Sequence, residues 1–143
     1  MVSGVAIGRG QVMAETDKSE KITINVGLVD LGQIDLLVNE GFFANRTDFI
    51  RTSIRRQLET RADAVDQTVA RRTLTLGTQH YGRRELEELR AAGDTVDLRV
   101  LGLATIADDV SPELALATIV SVEVLGAFRA PRAVKTALAS RTV

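Results

Sequence analysis

The sequence predicts an α+β fold built in two parts, because it carries two distinct patterns. Near the start, residues 21–26 read KITINV, in which Ile22, Ile24 and Val26 alternate with polar side chains, and two segments of helical periodicity follow. Alternation with a period of two is typical of a strand with one buried and one solvated face. In the second half of the chain, three alternating segments start 24 residues apart, which indicates an internal repeat.

The composition is that of a folded protein with an aliphatic core. Of the 143 residues, 45% are hydrophobic but only 3% are aromatic. The absence of Cys excludes disulfides and thiolate metal ligands, and the formal net charge of -1 excludes a protein that coats nucleic acid through overall positive charge. Residues 1–20 show no long apolar run, so we expect neither a signal peptide nor a membrane span and predict a cytoplasmic protein.

Helical periodicity after the predicted strand defines a first helix. Residues 1–20, which precede the strand, mix Gly with short apolar pieces and are predicted to form a flexible arm. The stretch GLVDLGQIDLLVNEG then places apolar residues at helical spacing, and Asp30 with Gln33 resembles a capping box. Gly41 supplies a stop, since glycine adopts the left-handed conformation that ends many helices.

A second helix is predicted to begin at Asn45, because asparagine is a favoured N-cap residue. Asp48 falls at the third helical position, where its carboxylate faces free amides and the positive end of the helix dipole. The apolar pattern continues, so we predict one helix that extends to about Arg72 and ends an N-terminal domain of residues 21–72. The apolar stripe of this helix begins with Phe49, Ile50, Ile54 and Leu58.

Three strand segments of the second half share one pattern. They read TLTLGT at 73–78, DLRVLG at 97–102 and SVEVLG at 121–126. The stretches after them also correspond, and the residues with matched phases are Leu86, Val110 and Val134, and also Leu114 and Leu138. We therefore predict a C-terminal domain, residues 73–143, in which three strand-helix units form a small solenoid with parallel strands. The alternative is three similar strands in a mixed sheet.

The strand at residues 21–26 has no predicted neighbour in its own chain, because the residues that follow it are helical. A lone strand leaves its backbone donors and acceptors unsatisfied on both edges. A second copy of the chain can supply the missing strand, in an antiparallel pair about a twofold axis. About forty residues are too few to bury a good core alone, so we expect folding and dimerisation to be one event. The predicted dimer core consists of Ile22, Ile24, Val26, Ile34, Phe49, Ile50, Ile54 and Leu58.

The pieces KITINV, DLGQIDLLVNEG, FFANRT and DFIRTSIRRQL together resemble the ribbon-helix-helix DNA-binding family, over about residues 21–60. The resemblance implies an intertwined homodimer whose two-stranded ribbon enters the major groove of double-stranded DNA. By position, the outward side chains that would contact bases are Lys21, Thr23 and Asn25. Their chemistry suits that role, because lysine donates to guanine, the asparagine amide pairs with adenine, and threonine offers both a methyl and a hydroxyl group.

The resemblance also implies a phosphate contact at the start of the second helix. In this sequence the contact would involve Asn45, Arg46 and Thr47, where free amides coincide with the positive end of the helix dipole. Arg46 adds a positive charge. Such a contact fixes the position of the protein on the duplex but carries no sequence information.

The C-terminal domain is predicted to hold no metal or cofactor. One member of the resembled family is a nickel sensor, but square-planar nickel needs nitrogen and sulfur ligands. This chain has a single His, His80, and no Cys. We interpret the surrounding stretch TQHYG as a polar loop.

The last repeat predicts assembly beyond the dimer. A solenoid without a polar capping unit leaves an open strand edge, on which another copy can dock. The segment SVEVLG would carry this edge, and Val122, Val124 and Leu125 would make the contact. The alternative is that this half of the chain binds a small effector, although the sequence shows no recognisable pocket.

No sequence motif indicates an enzyme. The chain lacks HExxH and a Walker loop, and Asp108 with Asp109 precedes a presumed helix, where acidic residues commonly act as caps. We therefore predict a sequence-specific DNA-binding transcriptional regulator that acts as a repressor. The alternative is an architectural or filament-forming scaffold that its N-terminal domain tethers to DNA.

Overall fold

The computed structural model describes residues 18–143, and the predicted flexible arm lies almost wholly in residues 1–17, outside the described part. The described chain divides into an N-terminal unit, residues 19–68, and a C-terminal unit, residues 69–143. No helix between residues 18 and 143 has both the length and the apolar character that a membrane crossing requires.

Three helices follow one another in the first half of the described chain: α1 (Leu28–Asn39), α2 (Arg46–Thr60) and α3 (Ala62–Arg72). Helix α1 begins directly after Gly27, so the prediction of a capping box at Asp30 is wrong. Asp30 lies instead in the first turn, where its carboxylate faces free amides. The helix ends as predicted, because Gly41 adopts a φ of +86° just beyond it.

Asn45 caps α2, as the sequence predicts. Its side-chain oxygen accepts a hydrogen bond from the amide of Asp48 at 2.8 Å, and the Asp48 carboxylate accepts one from the amide of Ala44 at 2.9 Å. The first bond satisfies one of the donors that a helix start leaves free, and the second fixes the residue that precedes the cap.

The prediction of one continuous helix to Arg72 is wrong, because the helix is interrupted at Arg61. The hydroxyl of Thr60 donates to the carbonyl of Arg56 at 2.9 Å, a local bond that tends to bend helices. The amide of Arg61 donates to the carbonyl of Leu58, in a tighter turn than that of the α-helix. Since the apolar spacing continues across this turn, spacing alone does not reveal it.

The C-terminal unit is built on three parallel strands, β1 (Thr75–Tyr81), β2 (Val96–Ile106) and β3 (Ile119–Arg129), in the order β1-β2-β3. Each strand precedes a helix: α4 (Arg83–Ala92), α5 (Pro112–Thr118) and α6 (Arg132–Ala137). The stretch TQHYG, interpreted from sequence as a loop, lies almost entirely in β1. Polar side chains are tolerated there because much of β1 is exposed.

The helices of this unit pack on one face of the sheet. The residues whose phases match in the sequence lie in one apolar cluster with the strand residues Leu98, Val100 and Val122. The matched phase therefore marks the side of each strand-helix connection that faces the core. The buried residues that it identifies are Leu86, Val110, Leu114, Val134 and Leu138.

A row of three glycines crosses the sheet, because Gly77 pairs with Gly102 and Gly102 with Gly126. All three have positive φ angles, of +124°, +140° and +124°. A Cβ atom on Gly102 would lie 2.1 Å from the carbonyl oxygen of Gly77, and one on Gly126 would meet the Gly102 carbonyl at the same distance. Paired residues are therefore 25 positions apart between β1 and β2 and 24 apart between β2 and β3. The starts of the three segments in the sequence instead suggest a constant spacing of 24.

The end of the chain lies along part of the β3 edge, where the sequence predicts an open edge. Thr142 forms a parallel bridge with Val122, and the amide of Val143 donates to the Val122 carbonyl at 2.9 Å. A short 3₁₀ turn, Ala139–Arg141, leads the chain to this position. The expectation of an open edge is therefore corrected at Val122, whose carbonyl already has a partner.

We expect Gly102→Ala to destabilise the C-terminal unit by about 3 kcal/mol or more, because the added methyl group meets a backbone carbonyl at a strained φ. Thermal unfolding of the full chain, followed by circular dichroism, measures this loss. Gly82→Ala is the matched control, since a Cβ there has only an ordinary contact of 3.7 Å with Glu85. The control should cost less than about 1 kcal/mol. Equal losses in both variants would contradict the steric role of the glycine row.

Candidate nucleic-acid interface

The segment at residues 21–26 is exposed along its whole length and belongs to no strand of the described chain. Ile22 and Ile24 are 74% and 66% exposed, which is costly for aliphatic side chains. Within a strand, polar neighbours of these residues lie on the opposite face. If this segment paired as a strand, it would present one apolar and one polar face, and its residues are exposed in the described chain. The polar face would carry the predicted base-contacting residues Lys21, Thr23 and Asn25.

The two helices that follow bury only part of their apolar surface. Ile34 is buried, and the ring of Phe49 meets that of Phe43 edge-on with centroids 5.0 Å apart. An open cavity of about 270 Å³ lies between α1 and α2, lined by Ile34, Leu37 and Phe49 among others. Of the predicted dimer core, every residue except Ile34 and Phe49 is exposed in the single chain: Ile22, Ile24, Val26, Ile50, Ile54 and Leu58.

The start of α2 combines free backbone donors with one occupied side chain. The amides of Arg46 and Thr47, at the first two helical positions, have no acceptor within the helix. The side chain of Asn45 is already bonded to the Asp48 amide, so its established role is to cap the helix. Free amides at the positive end of a helix dipole are groups to which anions bind in proteins.

Arg46 is paired with a residue that the sequence analysis did not identify. Its Nε and Nη2 atoms donate to the two carboxylate oxygens of Asp35, each at 2.8 Å. These hydrogen bonds and the charge of Arg46 lower the pKa of Asp35, and Asp35 raises the pKa of Arg46 in return. No local spacing could reveal the pair, since Asp35 lies on α1 and Arg46 on α2.

The predicted assembly residues of β3 differ in their environments. The side chain of Val122 is fully buried in the core and Val124 packs against it, whereas Leu125 is 44% exposed. From the sequence we expect all three side chains to be available for contact, and this expectation is corrected. Of the three, Leu125 is the one that is exposed. Val122 cannot contact a partner through its side chain without disruption of the core.

Leu125 belongs to a row of leucines on the sheet face opposite the core. Leu76 pairs with Leu101 and Leu101 with Leu125, and Leu76 is 63% exposed. When the three segments are aligned by their first residues, Leu76 corresponds to Val100, which is a core residue. The leucine row is therefore not visible in that alignment. Alignment by the glycines that follow the leucines would have found it.

The only His of the chain makes a contact within the sheet. His80 Nδ1 lies 2.6 Å from the hydroxyl oxygen of Thr105, its neighbour across β1 and β2. Between residues 18 and 143, no group of three or more His, Asp or Glu side chains is placed to hold a metal ion. This contact gives His80 a cross-strand hydrogen bond on the exposed side of the unit.

Comparison with known proteins supplies one match. Residues 17–135 match the model of the ribbon-helix-helix transcriptional regulator family, a range that includes the whole N-terminal unit and most of the C-terminal unit. No curated protein and no solved structure matches the chain. The match covers far more than half of the chain and extends well beyond the residues that carry the resemblance in the sequence.

Proposed function

This chain belongs to the ribbon-helix-helix transcriptional regulator family, and we propose that it is a repressor that binds DNA as a homodimer and catalyses no reaction. A ribbon made of residues 21–26 from each copy reads a short site in the major groove. The observation that carries this proposal is the exposure of alternating apolar and polar residues in a segment that has no strand partner between residues 18 and 143.

A second copy explains the apolar surface of the N-terminal unit. Two 21–26 segments placed antiparallel about a twofold axis satisfy one edge of each other. Their inner side chains, Ile22 and Ile24, then cover the exposed apolar residues of α1 and α2. Each aliphatic side chain that becomes buried contributes about 1.5–3 kcal/mol, so a cluster of them outweighs the association cost of about 4–15 kcal/mol.

The outer face of the ribbon supplies the base contacts. Lys21, Thr23 and Asn25 lie on this face in each copy, and their groups match the donors, acceptors and methyl groups of the major groove. The free amides of Arg46 and Thr47 hold a phosphate on each side of the ribbon. Phosphate contacts fix the position of the dimer, and the ribbon then discriminates between sequences.

We expect Ile54→Asp to abolish the dimer at micromolar concentration, because an unpaired carboxylate in the dimer core costs several kcal/mol. Sedimentation equilibrium of the full chain measures the mass, with Leu125→Asp present in every variant so that contacts through the C-terminal unit do not contribute. Val143→Asp is the control, since Val143 is 92% exposed at the far end of the C-terminal unit, and it should leave the mass unchanged. A wild-type chain that sediments as a folded monomer would refute the dimer.

We expect Asn25→Ala to reduce the preference for a selected DNA site over random DNA by about 1–3 kcal/mol, because the amide that pairs with adenine is lost. Binding titrations on both duplexes at one salt concentration measure the preference. Asn39→Ala makes the same chemical change at the end of α1 and should leave the preference unchanged. If Asn25→Ala weakens binding to both duplexes equally, the residue does not read bases, and an architectural tether becomes the better interpretation.

We further propose that the C-terminal unit is a short solenoid that joins dimers into larger assemblies. The leucine row, Leu76, Leu101 and Leu125, lies on one face of a parallel sheet, and parallel sheets are almost always covered on both faces. The occupant of this face is the same row of a chain in another dimer. Because each dimer carries two such rows, a first contact between two assemblies favours a second one. Assembly then lets neighbouring dimers bind DNA cooperatively.

We expect Leu125→Asp to reduce the mass of the particle to that of the dimer, since a buried charge in an apolar contact disfavours the contact. Multi-angle light scattering at micromolar concentration measures the mass. Leu116→Asp is the matched control, because Leu116 is similarly exposed, at 38%, but lies on α5, across the sheet from the leucine row. Identical masses for wild type and Leu125→Asp would exclude this row as the contact.

A further inference from the structure

The start of α2 carries an ion pair that links α2 to α1. Arg46 binds Asp35 through two parallel hydrogen bonds of 2.8 Å, from Nε to Oδ1 and from Nη2 to Oδ2. The two side chains remain 57% and 44% exposed. An exposed ion pair adds little to stability, so the pair is not required for folding.

Arg46 also stands beside the proposed phosphate contact. It occupies the first helical position, next to the free amides of Arg46 and Thr47. Asp48, two positions further along α2, carries a second carboxylate, which accepts a hydrogen bond from the amide of Ala44. This helix start therefore carries the carboxylates of Asp35 and Asp48 together with the guanidinium of Arg46, and the two negative charges oppose the approach of a phosphate.

We propose that Asp35 occupies Arg46 in the free protein and that a DNA phosphate must displace it, so that Asp35 holds down the affinity for DNA. This inference rests on the proposed function. A guanidinium binds carboxylate and phosphate through the same paired donors, and Asp35 already takes the pair formed by Nε and Nη2. DNA binding then replaces the carboxylate of Asp35 with a phosphate. The gain in binding free energy is smaller than if an unpaired arginine bound the phosphate.

This exchange affects the largest share of the binding free energy on DNA of random sequence. Affinity for random DNA comes from attraction to phosphates, whereas discrimination comes from base contacts. Asp35 weakens the attraction to phosphates and leaves the base contacts of residues 21–26 unchanged. The residue therefore limits the fraction of the regulator that non-specific DNA retains.

The test measures binding of the full chain to a short duplex of random sequence at several salt concentrations. Asp35→Asn should tighten binding about threefold to tenfold at low salt, and steepen the dependence of log K on log salt by about one unit. No gain is expected when Arg46→Ala is also present, because no guanidinium remains to be released. Asp30→Asn is the matched control, since it removes the same charge from the first turn of α1.

The possible outcomes separate this inference from the function on which it rests. If wild type binds the duplex and Asp35→Asn binds it no better, the inference is overturned and the proposed function stands. A gain that persists with Arg46→Ala, or that Asp30→Asn matches, also overturns it, because overall charge then accounts for the gain. A folded wild-type chain that binds no duplex, random or selected from a randomised pool, contradicts the proposed function itself. Melting temperatures of all variants establish that each one is folded.

Discussion

The N-terminal unit carries more apolar surface than residues 19–68 can bury among themselves, and this excess is the constraint on which the functional interpretation depends. Burial of Ile34 and one contact between phenylalanine rings form too small a core to stabilise the packing of α1 and α2. The aliphatic residues of the 21–26 segment could reduce the exposed area only by covering α1 and α2, and in one chain they remain in solvent. A twofold partner resolves this excess and supplies the missing strand neighbour in the same step.

The C-terminal unit, in contrast, buries a complete apolar core within itself, on one side of its sheet. Each strand-helix connection contributes side chains to a common apolar cluster, and the three glycines permit the strands to approach closely where a Cβ would collide. What is left over is the leucine row on the other side. The two units therefore differ in the surface that they leave exposed, and the proposed roles in DNA binding and in assembly follow from that difference.

Local chemistry explains how much of this could be predicted from the sequence. The cap at Asn45 and the stop at Gly41 depend on a few neighbouring residues, and the matched phases that predicted the repeat coincide with the core of the C-terminal unit. Features that depend on pairing at a distance could not be read in the same way. The ion pair of Asp35 and Arg46 joins two helices, and the leucine row appears only when the true register, set by the glycines, replaces the apparent spacing of 24. The interruption at Arg61 escaped because it leaves the apolar period intact.

The glycine row limits how a chain of this type can change in length. The carbonyls of Gly77 and Gly102 lie where the paired glycine on the neighbouring strand would carry a Cβ. An insertion within a strand would therefore bring a side chain into that position. The connections are less restricted, as offsets of 25 and 24 residues both maintain the row. Changes in length are therefore expected in the connections between the strands rather than within the strands themselves.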